Sequence, residues 1–189
     1  MITRFDNTTQ KILTELEKSA EKFWNIPRLT AEFMYILIKA QNIQNAIEIG
    51  TSNGYSGIWL AQALKETGGH LTTIEFWDKR LDIAKENFLK CGLNDIITTR
   101  NGDACEILNS LDADFKTDFV FIDANKHEYI KYFEIINQHM QTGGYIACDN
   151  VLSHKEKCRS FIETIESNPH YENVILPFPA GLSLARKIK

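Results

Sequence analysis

The chain has 189 residues, 43% of them hydrophobic and 24% charged, with a net charge of −4. A chain of this length buries roughly 70% of its unfolded surface, which suffices for one core and is too little for two ordinary domains. Ordinary composition excludes a disordered, collagen-like or coiled-coil chain; the short apolar runs exclude a membrane span; the acidic balance gives no general attraction to nucleic acid. The expectation is a single domain over 1–189, with a helical segment at 1–42 and a core at 43–189.

The opening residues, Met1 to Asp6, carry no apolar leader core. Ile12, Leu13, Leu16, Ala20 and Phe23 recur at helical steps, Pro27 interrupts, and Leu29, Phe33, Ile36, Leu37 and Ala40 resume the period. From there short β-rich runs alternate with helical patterns. Ala46–Ile49 reads as a strand, with a helix through Ile58, Ala61 and Leu64 stopping at Gly68-Gly69. Leu71–Glu75 reads as a second strand, followed by a helix over Leu81, Ala84 and Phe88 capped by Asp78. Ile96–Arg100 and Asp118–Ile122 are strands flanking a short helix from Ala104 to Leu111. Tyr129, Phe133, Ile136 and Met140 give a helix face ended by Gly143-Gly144, then Tyr145–Cys148 is a strand and Cys158, Phe161, Ile162 and Ile165 mark the last helix. Val174–Phe178 and Leu182–Lys187 follow as strands with no helix between them.

Five strand–helix alternations argue a parallel sheet covered on both faces. The last connection is too short for a crossover, so the final strand runs antiparallel in a hairpin at one edge. The fold class is α/β: a Rossmann-like, mostly parallel sheet with one antiparallel strand in its edge region and helices on both faces. Cys91, Cys105, Cys148 and Cys158 show neither CxxC spacing nor a partner histidine motif. They read as reduced thiols of a cytoplasmic protein.

The loop Glu48-Ile49-Gly50-Thr51-Ser52-Asn53-Gly54-Tyr55-Ser56 joins the first strand to its helix. Gly50 permits a tight turn and close backbone approach, and the helix start at Tyr55-Ser56 offers free N–H groups to a carboxylate or phosphate; a tight turn with no ligand would use similar residues. Glu75 ends the second strand 25 residues after Gly50, where an acid can accept from ribose hydroxyls. The loop is not G-x-G-x-x-G, and Glu48 suits a cationic group better than a pyrophosphate. Asp103 can accept from an exocyclic amine such as adenine's, or simply cap the helix that follows.

Asp123 and Asp149-Asn150 end the fourth and fifth strands. Neighbouring strands lie about 4.8 Å apart, so two carboxylates and an amide carbonyl can converge as hard ligands for Mg²⁺, Mn²⁺ or Ca²⁺, unless both acids are ordinary caps. Lys126 reaches the same place and, near a cation, would serve as a general base; otherwise it is a surface lysine. His127, His139 and His154 lack metal-ligand spacing and read as solvent-facing, with His154 nearest the site.

These residues resemble the class I S-adenosylmethionine-dependent O-methyltransferases of the metal-dependent catechol and caffeoyl-CoA type. The matching segments are AIEIGTSNGYSGIWLA (46–61), TTIEFWDKRLDIAKEN (72–87), NGDA (101–104), FVFIDANKHEY (119–129), GGYIACDNVL (143–152) and GLSLARK (181–187). The resemblance implies a seven-stranded sheet and roles by position. Glu48, Gly50, Thr51, Gly54, Tyr55 and Ser56 would hold the methionine end of S-adenosylmethionine. Glu75, with Phe76 beside it, would take the ribose. Asp103 and Ala104 would flank adenine, and Asp123 would border the cofactor. Asp123, Asp149 and Asn150 would ligate a divalent metal, Mg²⁺ first, and Lys126 would deprotonate the acceptor hydroxyl. The acceptor would be a small phenol or vicinal diol, and the protein a homodimer.

Two departures bear on the acceptor. The stretch Val151–Lys155 is shorter than the family's usual loop, and Pro179-Ala180-Gly181-Leu182 replaces its glycine-acid-glycine turn. Methylation of a hydroxylated tRNA base is the alternative within the same chemistry, revived by a basic patch of Lys126, Lys131 and Lys155. A NAD-linked dehydrogenase is disfavoured by the loop and Glu48, and a non-catalytic binding module by retention of the ligand set and Lys126.

Overall fold

The computed structural model describes residues 5–189; the expectation for the opening stretch concerns Met1 to Arg4, which lie outside the described residues. Three helices come first: α1 (Asn7–Lys18), α2 (Ala20–Phe23) and α3 (Arg28–Ala40). Asp6 caps α1 through its carboxylate, which accepts from the Thr9 N–H. Pro27 stands just before α3, where a fixed φ and a missing N–H cost nothing.

The core then alternates β1 (Asn45–Ile49), α4 (Tyr55–Thr67), β2 (His70–Glu75), α5 (Asp78–Lys90), β3 (Ile97–Asn101), α6 (Ala104–Asn109), β4 (Thr117–Ile122), a 3₁₀ turn (Lys126–Glu128), α7 (Tyr129–Ile136), β5 (Met140–Cys148), α8 (Lys155–Ser167), β6 (Tyr171–Leu176) and β7 (Leu182–Lys187). The seven strands form one sheet in the order β3-β2-β1-β4-β5-β7-β6. β1 to β5 are mutually parallel, while β7 is antiparallel to both of its neighbours. The hairpin does stand at one edge, with β7 on its inside and β6 outermost.

β4 lies at the centre, and Phe119, Val120, Phe121 and Ile122 are all fully buried, as a strand covered on both faces requires. One face packs on α1, α3, α4 and α5 through Met34, Ile38, Trp59, Leu64 and Phe88; the other packs on α6, α7 and α8 through Leu108, Tyr129, Phe133 and Phe161. No described helix is long and apolar enough to cross a membrane.

Several local expectations differ. α7 ends at Ile136, and Met140 opens β5 instead of closing the helix face. The register between β4 and β5 shifts between Thr117 and Phe119, so Gly143-Gly144 lie within a bulged strand and are not a helix stop. Met140 mimics a helical step because a residue buried at the start of a strand is as apolar as one on a helix face. The cap of α5 is Trp77, and Asp78 sits inside the first turn, where its charge faces the positive helix end. β6 stops at Leu176; Phe178 leaves the strand and packs edge-on against Phe33, 5.4 Å between centroids. His139 is buried, its ring 3.1 Å from the Phe115 carbonyl through Nδ1, and so is not solvent-facing.

Candidate active site

Strand order reverses at β1, which lies between β2 and β4, and such a reversal opens a crevice beyond the carboxyl ends of the strands. Register decides what meets there. Ile49 pairs with Ile122, and Ile122 with Cys148, so Gly50, Asp123 and Asp149 leave the sheet side by side. The fit at the first of these is close: Gly50 has φ +102°, and a β-carbon there would collide with the Asp123 carbonyl.

A cavity of about 550 Å³ fills the crevice. Its walls include Gly50, Thr51, Tyr55, Ser56, Glu75, Phe76, Asp103, Ala104, Asp123 and Lys126, which is most of the set expected from the sequence. Glu75 is nearly buried, and its carboxylate is aligned by two backbone donors, Ser52 N–H to Oε2 at 2.8 Å and Trp77 N–H to Oε1 at 2.9 Å. Asp103 caps α6, Oδ1 accepting from the Glu106 N–H at 3.0 Å, and the residue also lines the cavity.

Glu48, Gly54, Asp149 and Asn150 are not on the cavity wall. Gly54 is at the N-cap of α4, packed against Phe88. Glu48 is fully buried beneath the loop, with Ser56 Oγ donating to Oε1 and Thr73 Oγ1 to Oε2, each at 2.6 Å. Burial, reinforced by the negative charges of Asp123 and Glu75, pushes its carboxyl up to about 7 against the pull of the two hydroxyls.

The acidic pair behaves differently. Lys126 Nζ donates to Asp123 Oδ1 at 2.8 Å, both side chains being mostly enclosed. Asp149 is 2% exposed, and its Oδ1 has no hydrogen-bond partner. Burial, then the neighbouring Asp123 charge, pushes the Asp149 carboxyl up to about 7. Asn150 turns the chain away from this point in the left-handed region, φ +66°. Among the described residues no cluster of three or more His, Cys, Asp or Glu makes a ready metal centre. The donors available are two carboxylates and a carboxamide, all hard oxygen ligands. A buried carboxylate oxygen with no donor, beside a second carboxylate, is a group a divalent cation would satisfy, so these residues fit such an ion.

The short stretch after Asn150 is sealed onto the turn that replaces the expected one. Val151 N–H donates to the Gly181 carbonyl, and Leu152 and Ser153 N–H to the Ala180 carbonyl, at 3.0–3.1 Å. Gly181, φ +79°, leaves no room for a β-carbon against Leu152. The two departures thus pack on each other. Of the lysines that would make a basic patch, Lys126 is paired with Asp123 and Lys131 with Glu128.

The sequence reading missed part of the wall. Trp24, Trp77, Arg80, Glu128 and Tyr132 also line the cavity. Trp24 and Trp77 are 73% and 61% exposed, and the Arg80 guanidinium lies 4.8 Å from the Trp24 ring centroid. The available signal was two tryptophans beside punctuation, one just before Pro27 and one just after Glu75-Phe76. Exposed tryptophan is uncommon without a ligand or partner.

A family model described as O-methyltransferase matches residues 5–188. This chain belongs to the O-methyltransferase family. The resemblance to class I S-adenosylmethionine-dependent enzymes is borne out. The methyltransferase is 30% identical over 204 residues to caffeoyl-CoA O-methyltransferase of Eucalyptus gunnii, covering 92% of this chain and 79% of that one. It is 35% identical over 123 residues to catechol O-methyltransferase of Niastella koreensis, covering 64% and 55%. Among solved structures, the O-methyltransferase from Bacillus cereus in complex with SAH superposes with a TM-score of 0.84 at 28% identity, covering 99% of this chain and 93% of that one.

Proposed function

We propose that this O-methyltransferase transfers the methyl group of S-adenosylmethionine to a hydroxyl of a small phenolic or vicinal-diol acceptor, with a divalent metal assisting and Lys126 as the base. The observation that carries the reading is the unpartnered, buried Asp149 Oδ1 beside the Asp123–Lys126 pair, at the edge of a cavity whose far wall presents Glu75 and Asp103.

In this reading Glu75 accepts from the ribose hydroxyls, its orientation already set by the Ser52 and Trp77 amides. Asp103, with one oxygen committed to the α6 cap, turns the other toward the adenine amine. Asp123, Asp149 and Asn150 would hold the metal, which when bound lowers the pKa of a coordinated hydroxyl. Lys126, an ammonium in its pair with Asp123, would first release a proton to solvent and then, as the neutral amine, take the acceptor proton; its contact with Asp123 sets where that nitrogen stands. The acceptor oxygen then forms its bond to the methyl carbon as the sulfur–carbon bond breaks. A cation and an anion become two neutral products, and water displaced by the bound ligands would favour that loss of charge.

The test is methyl transfer to a panel of catechols and simple phenols, with product read by mass spectrometry in magnesium and in chelator. Monomethylated catechol formed only with the metal is the expected result. Equal rates in chelator would remove the metal from the reading, and silence across the panel would remove the phenolic acceptor.

A further inference from the structure

Two stretches far apart in the chain meet at the mouth of the cavity. Phe23, Trp24, Asn25 and Ile26, running from the end of α2 toward α3, line it from the N-terminal layer; Trp77 and Arg80 line it from the start of α5. A residue that lines a cavity and is still 73% exposed, as Trp24 is, stands at the rim. The chain is pinned on both sides of Trp24. Ser52 Oγ donates to the Phe23 carbonyl at 2.9 Å, and Asn25 Nδ2 donates to the Leu16 carbonyl at 3.0 Å. Between those anchors Trp24 takes a left-handed backbone, φ +56° and ψ +41°, which is uncommon for a bulky side chain. Such a conformation persists only where surrounding contacts over-determine it. The Arg80 guanidinium lies over the Trp24 ring, 4.8 Å from its centroid. Arg80 has no ion pair and no side-chain hydrogen bond among the described residues, so the ring is the contact that holds the guanidinium at the rim.

We propose that Trp24 and Arg80 form a clasp across the cavity mouth that sets how fast a nucleoside ligand enters and leaves, and not how tightly it is held. The contact is made by protein groups alone, so its strength is spent equally against entry and against exit. A group that favours the free and the bound protein alike shifts no equilibrium. What it raises is the barrier between them, as closing elements at other enzyme mouths do. Cation–π attraction at an exposed site is modest, which suits a clasp that opens in every cycle. The inference rests on the cofactor reading above, because it takes S-adenosylhomocysteine as the ligand that passes through this mouth.

Surface plasmon resonance on the immobilised full chain, with S-adenosylhomocysteine in the flow, separates association from dissociation. Trp24→Asn removes the ring but keeps a residue that tolerates the left-handed turn. Arg80→Gln removes the charge at similar length. Each is expected to raise both rate constants by about fivefold while affinity stays within about twofold of wild type. Retained affinity also shows that each variant is folded. The double variant is expected to be no faster than either single one, because both break the same contact. Trp24→Phe keeps an aromatic face and is expected to exchange at close to the wild-type rate. Faster dissociation with unchanged association would make these residues ordinary wall contacts and overturn the clasp. Unchanged rates, or multiplying effects in the double variant, also overturn it. Failure of wild type to bind S-adenosylhomocysteine overturns the cofactor reading, and this inference with it.

Discussion

The two halves of the crevice are built on opposite electrostatic plans. On the side of β1, β2 and β3, three acids are answered by donors from the protein itself: Glu75 by two backbone amides, Glu48 by two hydroxyls, Asp103 by an α6 amide. On the side of β4 and β5, Asp149 keeps a buried oxygen with no donor and Asp123 has the Lys126 ammonium. In the first half the protein itself fixes the orientation of each acid, so none of them waits for an arriving cation. The second carries a cost that an arriving cation would remove. The contrast teaches that preorganisation and incompleteness can coexist a few residues apart, because each strand end is wired by its own loop.

The strongest way to break this contrast is to remove the incomplete acid. Asp149→Ala should reduce metal-stimulated methyl transfer to background while leaving S-adenosylhomocysteine affinity within about tenfold, or 1.4 kcal/mol. Parallel assays of turnover and of calorimetric binding would check this, and a matching loss of binding would mean that the two halves are one unit. An intermediate effect is expected on the satisfied side. Glu75→Ala removes a charged acceptor and should weaken the cofactor product by about 1–3 kcal/mol, with chelator making no difference to the loss. Unchanged affinity would take the ribose away from Glu75.

A separate effect, on stability and not on binding or turnover, concerns pH dependence without metal. Glu48 and Asp149 are both raised to about 7, chiefly by burial, from ordinary values of 4.5 and 3.8. A carboxyl that holds its proton more tightly when folded contributes stability that is complete below its unfolded pKa and is lost as pH rises through the folded value. The metal-free protein should therefore melt several degrees lower at about pH 8 than at about pH 5. Asp149→Asn should flatten part of that slope, and excess magnesium should raise the wild-type midpoint at the higher pH. A midpoint insensitive to magnesium would mean that the open oxygen of Asp149 has no cation to wait for.

Much of this was visible in the linear pattern because its causes are local. Alternating apolar runs and helical stripes identified the strands and most helices, and acids at or just past strand ends located Glu75, Asp103, Asp123 and Asp149. The errors had local causes too: Met140 fell on a helical step by coincidence, and Asp78 lay one residue inside the helix it was expected to cap. Trp24 and Arg80 escaped notice because their meeting depends on the N-terminal helices folding back over α5, a contact between segments 56 residues apart in the chain.

The amino-acid order alone determined a parallel, helix-covered sheet with a terminal hairpin and a row of acids at its strand ends, since periodicity and punctuation act over a few neighbouring residues. Only the tertiary structure decided which acids face the cavity and which lie beneath it. Register between strands buried Glu48 against Thr73 and set Asp149 beside Asp123, and burial then determined which carboxylate found donors and which did not. Those outcomes depend on distances between residues far apart in the chain, which no local pattern encodes.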